Sequence, residues 1–323
     1  MVVLLNDKKK RWGKKFVDKR NWKEVNVRLV QHGTLLVNIN FLENEKEILK
    51  QMNQRKVGRP FKYINPIFEY AGLLHCYAHL GFRQIKGILI GFSKKEPLLK
   101  NPDFSTINRR FNSLPIKIQP RKTKEDFTII VDSTGISTTN RSEWMRKIHR
   151  KGKIDECKGF LKLHVAIDEE TKEILTAEIT TEKIGDNTKF NQLIEGSINN
   201  TGKKVVKIKA DGSYSSYEDF DLLEHLEIEP VINIPDNAIT ELPENEYQNR
   251  RRNLEPRTRT KYAKKQLKNK KKWRKENGYG KRWAIETLFS TIKRQFGQYA
   301  QATKYCNMQH EQTFKLQLYN QLL

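Results

Sequence analysis

Phe127-Thr128-Ile129-Ile130-Val131-Asp132 sets a carboxylate at the end of an apolar, β-branched run, and the fold turns on how that stretch is read. Such a run suits a buried strand. A strand that ends on an acid delivers it to the open edge of a sheet, where α/β proteins keep their sites. Val205-Val206-Lys207-Ile208-Lys209-Ala210 repeats the arrangement, ending on Asp211 and then Gly212, whose freedom permits a tight turn. Taken singly, each aspartate is more often a strand-ending turn former.

Working outward, residues 161–167 and 174–180 flank the polar turn 168–172 as a hairpin. Residues 187–198 and 215–226 suit helices, and 229–234 a further strand. The expected class is α/β, a mixed sheet with helices on it.

Toward the N-terminus, residues 1–57 carry basic clusters (Lys8 to Arg11, Lys14, Lys15, Lys19, Arg20) and end at Gly58-Arg59-Pro60, so they are read as a basic arm. Beyond it Ile67, Tyr70, Leu74, Tyr77 and Leu80 recur at helical spacing, with Gly81 as the expected C-cap. A second helix carries Ile85, Ile88 and Leu89. After Pro97 and Pro102, Asp103 or Ser105 caps a third, bearing Asn108, Arg109 and Arg110. Residues 58–120 thus read as a helix-turn-helix-like module in which Arg109 and Arg110 contact DNA, or as a plain helical subdomain packed on the core. Residues 121–323 form the catalytic domain. Within it, residues 236–275, broken by Pro243 and Pro256 and loaded with Arg250 to Arg252, Arg257, Arg259, Lys261, Lys264, Lys265 and Lys268 to Lys272, read as a basic insertion that orders on DNA, or as a solvated charge run.

Lys and Arg number 62 against 38 Asp and Glu, a formal net charge of +24. That excess points to a polyanion, and nucleic acid fits because each neutralised phosphate releases condensed counterions; Lys-rich drift in an AT-rich genome is the plainer explanation. No apolar run approaches the roughly 18 residues that span a bilayer, so no membrane partner is expected. The apolar start, Met1 to Leu5, precedes its basic cluster instead of following it, the wrong order for a secretory signal, and a cytoplasmic, nucleoid-associated protein is expected. Cys76, Cys157 and Cys306 stand far apart and define neither a disulfide framework nor a zinc site.

The third acid comes from Tyr279-Gly280-Lys281-Arg282-Trp283-Ala284-Ile285-Glu286 and its continuation to Lys293. At about 100° per residue, Tyr279, Arg282, Glu286 and Lys293 share one stripe. Beside it Ile285, Leu288, Phe289, Ile292 and Phe296 make an apolar face, which presents Glu286 at the rim of the core. The alternative is a solvent-facing Arg282, Glu286 and Lys293 ladder on an ordinary helix. Three converging acids without Cys or clustered His suit hard cations, Mg²⁺ or Mn²⁺. Two such ions can activate a water or 3′-hydroxyl and stabilise the leaving oxygen in attack on a phosphodiester.

Tyr279, Arg282, Glu286 and Lys293 match at every position the Y, two, R, three, E, six, K signature of DDE transposases of bacterial and archaeal insertion sequences, in the group-four and group-five branch. Val131-Asp132-Ser133-Thr134-Gly135 resembles that family's first-aspartate motif and Ala210-Asp211-Gly212-Ser213-Tyr214 its second. The stretches from Cys157 to His164 and from Ile184 to Thr188 resemble its connecting segments.

The resemblance implies a ribonuclease H-like fold with Asp132 on the first strand, Asp211 after the fourth and Glu286 on a late helix. It makes these three the catalytic, metal-holding residues, with two Mg²⁺ or Mn²⁺ ions as cofactor. Tyr279, Arg282 and Lys293, with Arg294 beside them, become contacts to DNA, both transposon ends and target, handled by a homodimer. The reaction implied is strand cleavage and strand transfer. A nuclease or resolvase of the same fold and a non-catalytic DNA-binding regulator are the competing readings.

Asp168 is expected to serve its hairpin turn and Asp186 to cap the following helix, so neither enters the site. His164 reads as a satisfied histidine, and Trp144 as a core anchor or a base-stacking ring.

Overall fold

The computed structural model describes residues 20–94, 101–138, 159–238 and 258–323, with the backbone of a two-residue ladder at Lys10–Arg11 and Lys14–Lys15. Trp144, Cys157, Pro97, Pro243, Pro256 and the basic stretch around Arg250 lie outside the described residues. The chain divides into two compact units, residues 1–62 and 63–323.

In the first unit, α1 (Trp22–Leu35) is capped by Asn21, whose side chain accepts from the Lys23 N–H. It buries no residue. After α2 (Glu45–Asn53), the Asn53 amide pairs with both backbone groups of Phe61, closing the intervening turn.

The second unit opens with α3 (Asn65–Cys76), α4 (Phe82–Ser93) and α5 (Phe104–Phe111). Three helices form where helical periodicity placed them, and Asp103 caps the third through the Ser105 N–H. Gly81 does not end α3: it is extended and caps α4, its N–H held by the Gln84 side chain. Phe111 of α5 meets Phe314 of the C-terminal helix α11 (Tyr305–Leu322) edge on at 5.2 Å, so these helices share a core with the end of the chain.

Among the described residues the sheet has five strands: β1 (Phe127–Ser137), β2 (Phe160–Asp168), β3 (Ile174–Thr181), β4 (Val205–Ala210) and β5 (Glu229–Ile232). Their order is β3-β2-β1-β4-β5, antiparallel through the first three and parallel from β1 outward. This is the ribonuclease H-like arrangement. On one face Ile129 and Val131 of β1 pack with Phe190, Leu193 and Ile194 of α6 (Phe190–Thr201), Phe220 and Leu223 of α7 (Tyr217–His225), and Ala263 of α8 (Thr258–Lys268). Strand side chains alternate, so Asp132 and Thr134 point to the other face, toward α10 (Trp283–Phe296).

Two elements depart from the sequence reading. Strand β1 does not end at Asp132 but runs to Ser137, because β2 pairs along its whole second half. What ends there is its parallel neighbour: the last β1 to β4 pair is Ile130 with Lys209. Of residues 236–275, expected to order on DNA, the described part from Thr258 onward forms α8 and then α9 (Lys270–Glu276) against the protein itself, where Ala263 and Trp273 are buried and Gln266 bonds the backbone of Ile232 and Ile234.

Candidate active site

Ile130 pairs with Lys209, and two residues further along stand Asp132, within β1, and Asp211, the first residue past β4. The parallel register therefore brings both carboxylates to one level and one face of the sheet. Past Asp211 the chain turns through Gly212–Tyr214, where a Cβ on Gly212 would stand 2.8 Å from the Asn233 carbonyl oxygen. Only glycine lets the turn pass so close.

The third acid arrives on α10, whose Ile285, Leu288, Phe289, Ile292 and Phe296 are buried as the periodicity required. The stripe does not lie on one continuous α-helix, because Tyr279–Arg282 is a 3-10 turn and α10 starts at Trp283. Glu169 fastens this turn by pairing with Lys209 at 2.5 Å and Lys281 at 2.9 Å, and Lys209 also donates to the Gly278 carbonyl. Beyond α10, the chain rejoins the sheet through backbone bonds between Ser137 and residues 298 and 300.

Arg282 stands between two of the acids. Its Nη1 donates to Asp132 Oδ2 and its Nη2 to Glu286 Oε1, each at 2.7 Å. Burial raises the Asp132 pKa above the ordinary carboxylate value, and like charge from Asp211 and Glu286 adds to it, against the Ser133 N–H and Arg282. The three acids thus share one field. Arg282 loses solvation too, yet Tyr279 and the three carboxylates outweigh that loss and keep it charged.

The other residues singled out by the sequence are placed as follows. Lys293 Nζ donates to Thr134 Oγ1 at 2.8 Å, on the Asp132 face of β1, and burial lowers its pKa. Tyr279 is half-buried, its ring 5.7 Å from that of Trp273 and its hydroxyl toward the Ala210 carbonyl. Arg294 is exposed. Arg109 and Arg110 are in the α3–α5 helices, away from the acids in sequence and in element: Arg109 lines a groove with Arg83 and Lys304, whereas Arg110 turns inward onto Asn65 Oδ1 and the Phe68 ring.

Beside Asp211 lies a cleft of about 860 Å³ walled by Lys271, Arg274, Lys275, Lys281 and Arg282. Lys271, Arg274 and Lys275 were not separated by sequence from the rest of the charge run. Spacing held the signal: Ala263, Gln266, Lys270 and Trp273 recur at three and four, which makes one side of the run a packed face and leaves the cations on the other.

Asp168 serves its turn as expected, accepting from the backbone of Glu170 and Thr171. Asp186 does not cap the helix after it. Its carboxylate makes no capping bond and instead accepts from Ser133 Oγ at 2.5 Å and Lys162 Nζ at 2.9 Å. Nε2 of His164 meets Thr180 Oγ1, while Nδ1 has no hydrogen bond among the described residues and stands 3.7 Å from Asp186.

A parallel pair of strands, two aspartates level at its edge and a glutamate brought over them by a late helix define a ribonuclease H-like protein with an acidic site. A family model described as a transposase DDE domain matches residues 124–316, and another of the same description matches residues 30–141. The first covers more than half of the chain, and the chain belongs to the DDE-domain transposases.

Among solved structures, the chain is similar to a simian T-cell lymphotropic virus intasome complex at 16% identity, with 51% of each chain covered and a TM-score of 0.26. The piggyBac transposase synaptic complex with hairpin DNA matches at 12% identity, covering 91% of this chain and 75% of that one, with a TM-score of 0.36. The Mos1 mariner paired end complex with Mn matches at 13% identity over 68% and 69%, with a TM-score of 0.23. The chain spans about half the length of the first of these.

Proposed function

We propose that the protein is an insertion-sequence transposase of the Y-R-E-K branch, of bacterial or archaeal type. It binds the terminal inverted repeats, cleaves the strands at the transposon ends, and joins the 3′-hydroxyls to target DNA. The observation that carries this reading is that Asp132 and Glu286 meet on Arg282, with Asp211 at the level of Asp132 and lining a basic cleft that Arg282 also walls.

The donor set suits Mg²⁺ or Mn²⁺, since only carboxylate oxygens converge and no Cys or His joins them. Among the described residues, no three acidic, His or Cys side chains close up far enough to enclose an ion, because Arg282 fills the gap between Asp132 and Glu286. Metal binding therefore requires the guanidinium to let go, and a DNA phosphate is the natural acceptor for it. Two divalent ions held by the three acids supply Lewis acidity for activating a water or 3′-hydroxyl and stabilising the leaving oxygen.

In this reading the chain's own residues position the strand. Lys271, Arg274, Lys275 and Lys281 neutralise phosphates along the cleft, and Tyr279, Lys293 and Arg294 contact the end or the target. Arg109 in the helices of 58–120 touches the repeat from its separate groove, with Arg110 bracing that module. The arm 1–57 adds basic contacts, 121–323 is the catalytic domain, and a homodimer handles both ends in the cytoplasm, on the nucleoid. Among the described residues no helix is long and apolar enough to cross a membrane.

The test offers the purified chain a pre-cleaved end bearing the inverted repeats that flank its reading frame, with a target plasmid and Mg²⁺. Joined products support a transposase. Hydrolysis without joining favours a nuclease or resolvase, and Mg²⁺-indifferent binding with no cleavage favours a DNA-binding regulator.

A further inference from the structure

Behind Asp132, on the opposite face of β1, one carboxylate gathers side chains from three segments: β1, β2 and the turn after Asp211. Strand alternation turns Ser133 away from the Asp132 face, and Ser133 pairs in register with His164 of β2. Asp186, from the loop after β3, accepts from Ser133 Oγ at 2.5 Å and from Lys162 Nζ at 2.9 Å. Lys162 also donates to the Ile184 carbonyl at 3.0 Å, which anchors that loop on β2.

Two more polar atoms face this carboxylate. His164, fully buried, turns Nδ1 to it without a hydrogen bond. The Tyr214 hydroxyl is also buried beside Ser133, and burial with the charges of Asp186 and Asp132 pushes its pKa upward against the Ser133 hydroxyl. Tyr214 closes the turn that begins at Asp211, its N–H bonded to the Asp211 carbonyl, and its ring lies 5.4 Å from Phe190. The group thus reaches the residue after Asp132 and the turn after Asp211 at once. A loop aspartate that caps nothing and sits among buried polar groups carries a desolvation cost with no return in helix stability.

Ser133 is the link to the front of the sheet, because its N–H donates to Asp132 Oδ1 at 2.8 Å. We propose that Asp186 is a positioning residue for the metal-holding acids: through Ser133 it fixes the Asp132 carboxylate, and beside Tyr214 it holds the Asp132 strand and the Asp211 turn at their spacing. The proposal rests on the metal-dependent reading above. It needs no contact between Asp186 and substrate or metal, and it assigns to the carboxylate the work that outer-shell groups do for metal ligands, where their loss typically lowers affinity about 10- to 100-fold.

The test is Mn²⁺ binding to the full chain without DNA, read by the electron paramagnetic resonance signal of free Mn²⁺, alongside thermal unfolding. Asp186→Ala should weaken Mn²⁺ binding about tenfold or more. Ser133→Ala, which removes only a hydroxyl and keeps the strand, should weaken it in the same direction, and the double variant should be no weaker than Asp186→Ala alone. Asp186→Asn, whose amide oxygen still accepts from Ser133, should recover most of the affinity. Unchanged affinity in Ser133→Ala and Asp186→Ala, or losses that multiply in the double variant, overturns the positioning role while leaving the transposase reading intact. If binding to the unaltered chain is indifferent to Asp132→Ala, the metal-dependent reading itself falls and takes this role with it.

Discussion

Arg282 donates one hydrogen bond to Asp132 and another to Glu286, so a single guanidinium spans carboxylates from strand β1 and helix α10. The pair of bonds is planar fork chemistry that lysine does not reproduce. In a chain of net charge +24, this cation is set between two of the acids.

Arg282 competes with metal for those carboxylates. Arg282→Ala is expected to bind Mn²⁺ in the absence of DNA at least as tightly as the unaltered chain, yet to lose at least about tenfold in strand cleavage, the scale of a charge-assisted phosphate contact. Titration of Mn²⁺ and a single-turnover cleavage assay read the two halves separately. Weakened Mn²⁺ binding contradicts the competition.

Gly212 is expected to tolerate no side chain. Its Cβ would stand 2.8 Å from the Asn233 carbonyl oxygen, so Gly212→Ala must shift the turn that follows Asp211. Cleavage should fall sharply while far-ultraviolet circular dichroism is unchanged, since a small misplacement of a reacting group can cost on the order of 100-fold. Full activity in this variant contradicts the placement of Asp211.

Lys315 and Glu311 form an ion pair 2.7 Å long, each side chain 1% exposed, and Glu311 also accepts from the backbone of Gln301 and Ala302 just after α10. Lys315→Ala leaves Glu311 buried without its counter-charge, held only by backbone N–H groups, at an expected cost of about 3 kcal/mol in urea unfolding. The exposed pair Lys272 with Glu276 gives the control, where Lys272→Ala should change stability by under about 0.5 kcal/mol. Equal effects contradict the burial argument.

His164 makes the fold acid-sensitive. Burial lowers its pKa from 6.5 to about 4; Asp186 opposes that, while Lys162 and Lys189 reinforce it. The imidazole is neutral at pH 7, so its approach to Asp186 is not an ion pair there. Between pH 6.5 and about 4 the unfolded chain takes up a proton that the folded chain refuses, so stability is present above 6.5 and is lost as pH falls toward 4. The loss amounts to at most roughly 3 kcal/mol for this group. Burial lowers the pKa of His75 and His310 as well, which adds in the same direction. The melting temperature of His164→Gln should fall less steeply over that interval than that of the unaltered chain, and parallel curves contradict the assignment.

The sheet was legible because its strands are β-branched runs bounded by turn residues, and α10 because its apolar residues keep helical spacing. Where Asp132 sits in β1 was not: the polar Ser133-Thr134-Gly135 looks like a strand end, and only pairing with β2 carries the strand on to Ser137. The stripe of Tyr279, Arg282 and Glu286 told which side chains share a face but not that Arg282 would lie across to Asp132, a contact between residues far apart in sequence. Asp186 was hidden for a different reason. An aspartate before a helix has a strong local role as a cap, and nothing local reveals that Ser133 and Lys162 outbid the helix for its oxygens.

Cleavage of a transposon-end duplex by Glu286→Gln in Mg²⁺ tests the central claim most directly, because the substitution keeps shape and a hydrogen-bonding oxygen and removes one negative charge. Cleavage should be abolished while binding to the same duplex, measured by gel shift, stays within about threefold, since phosphate contacts by Lys and Arg carry that affinity. Undiminished cleavage would contradict it.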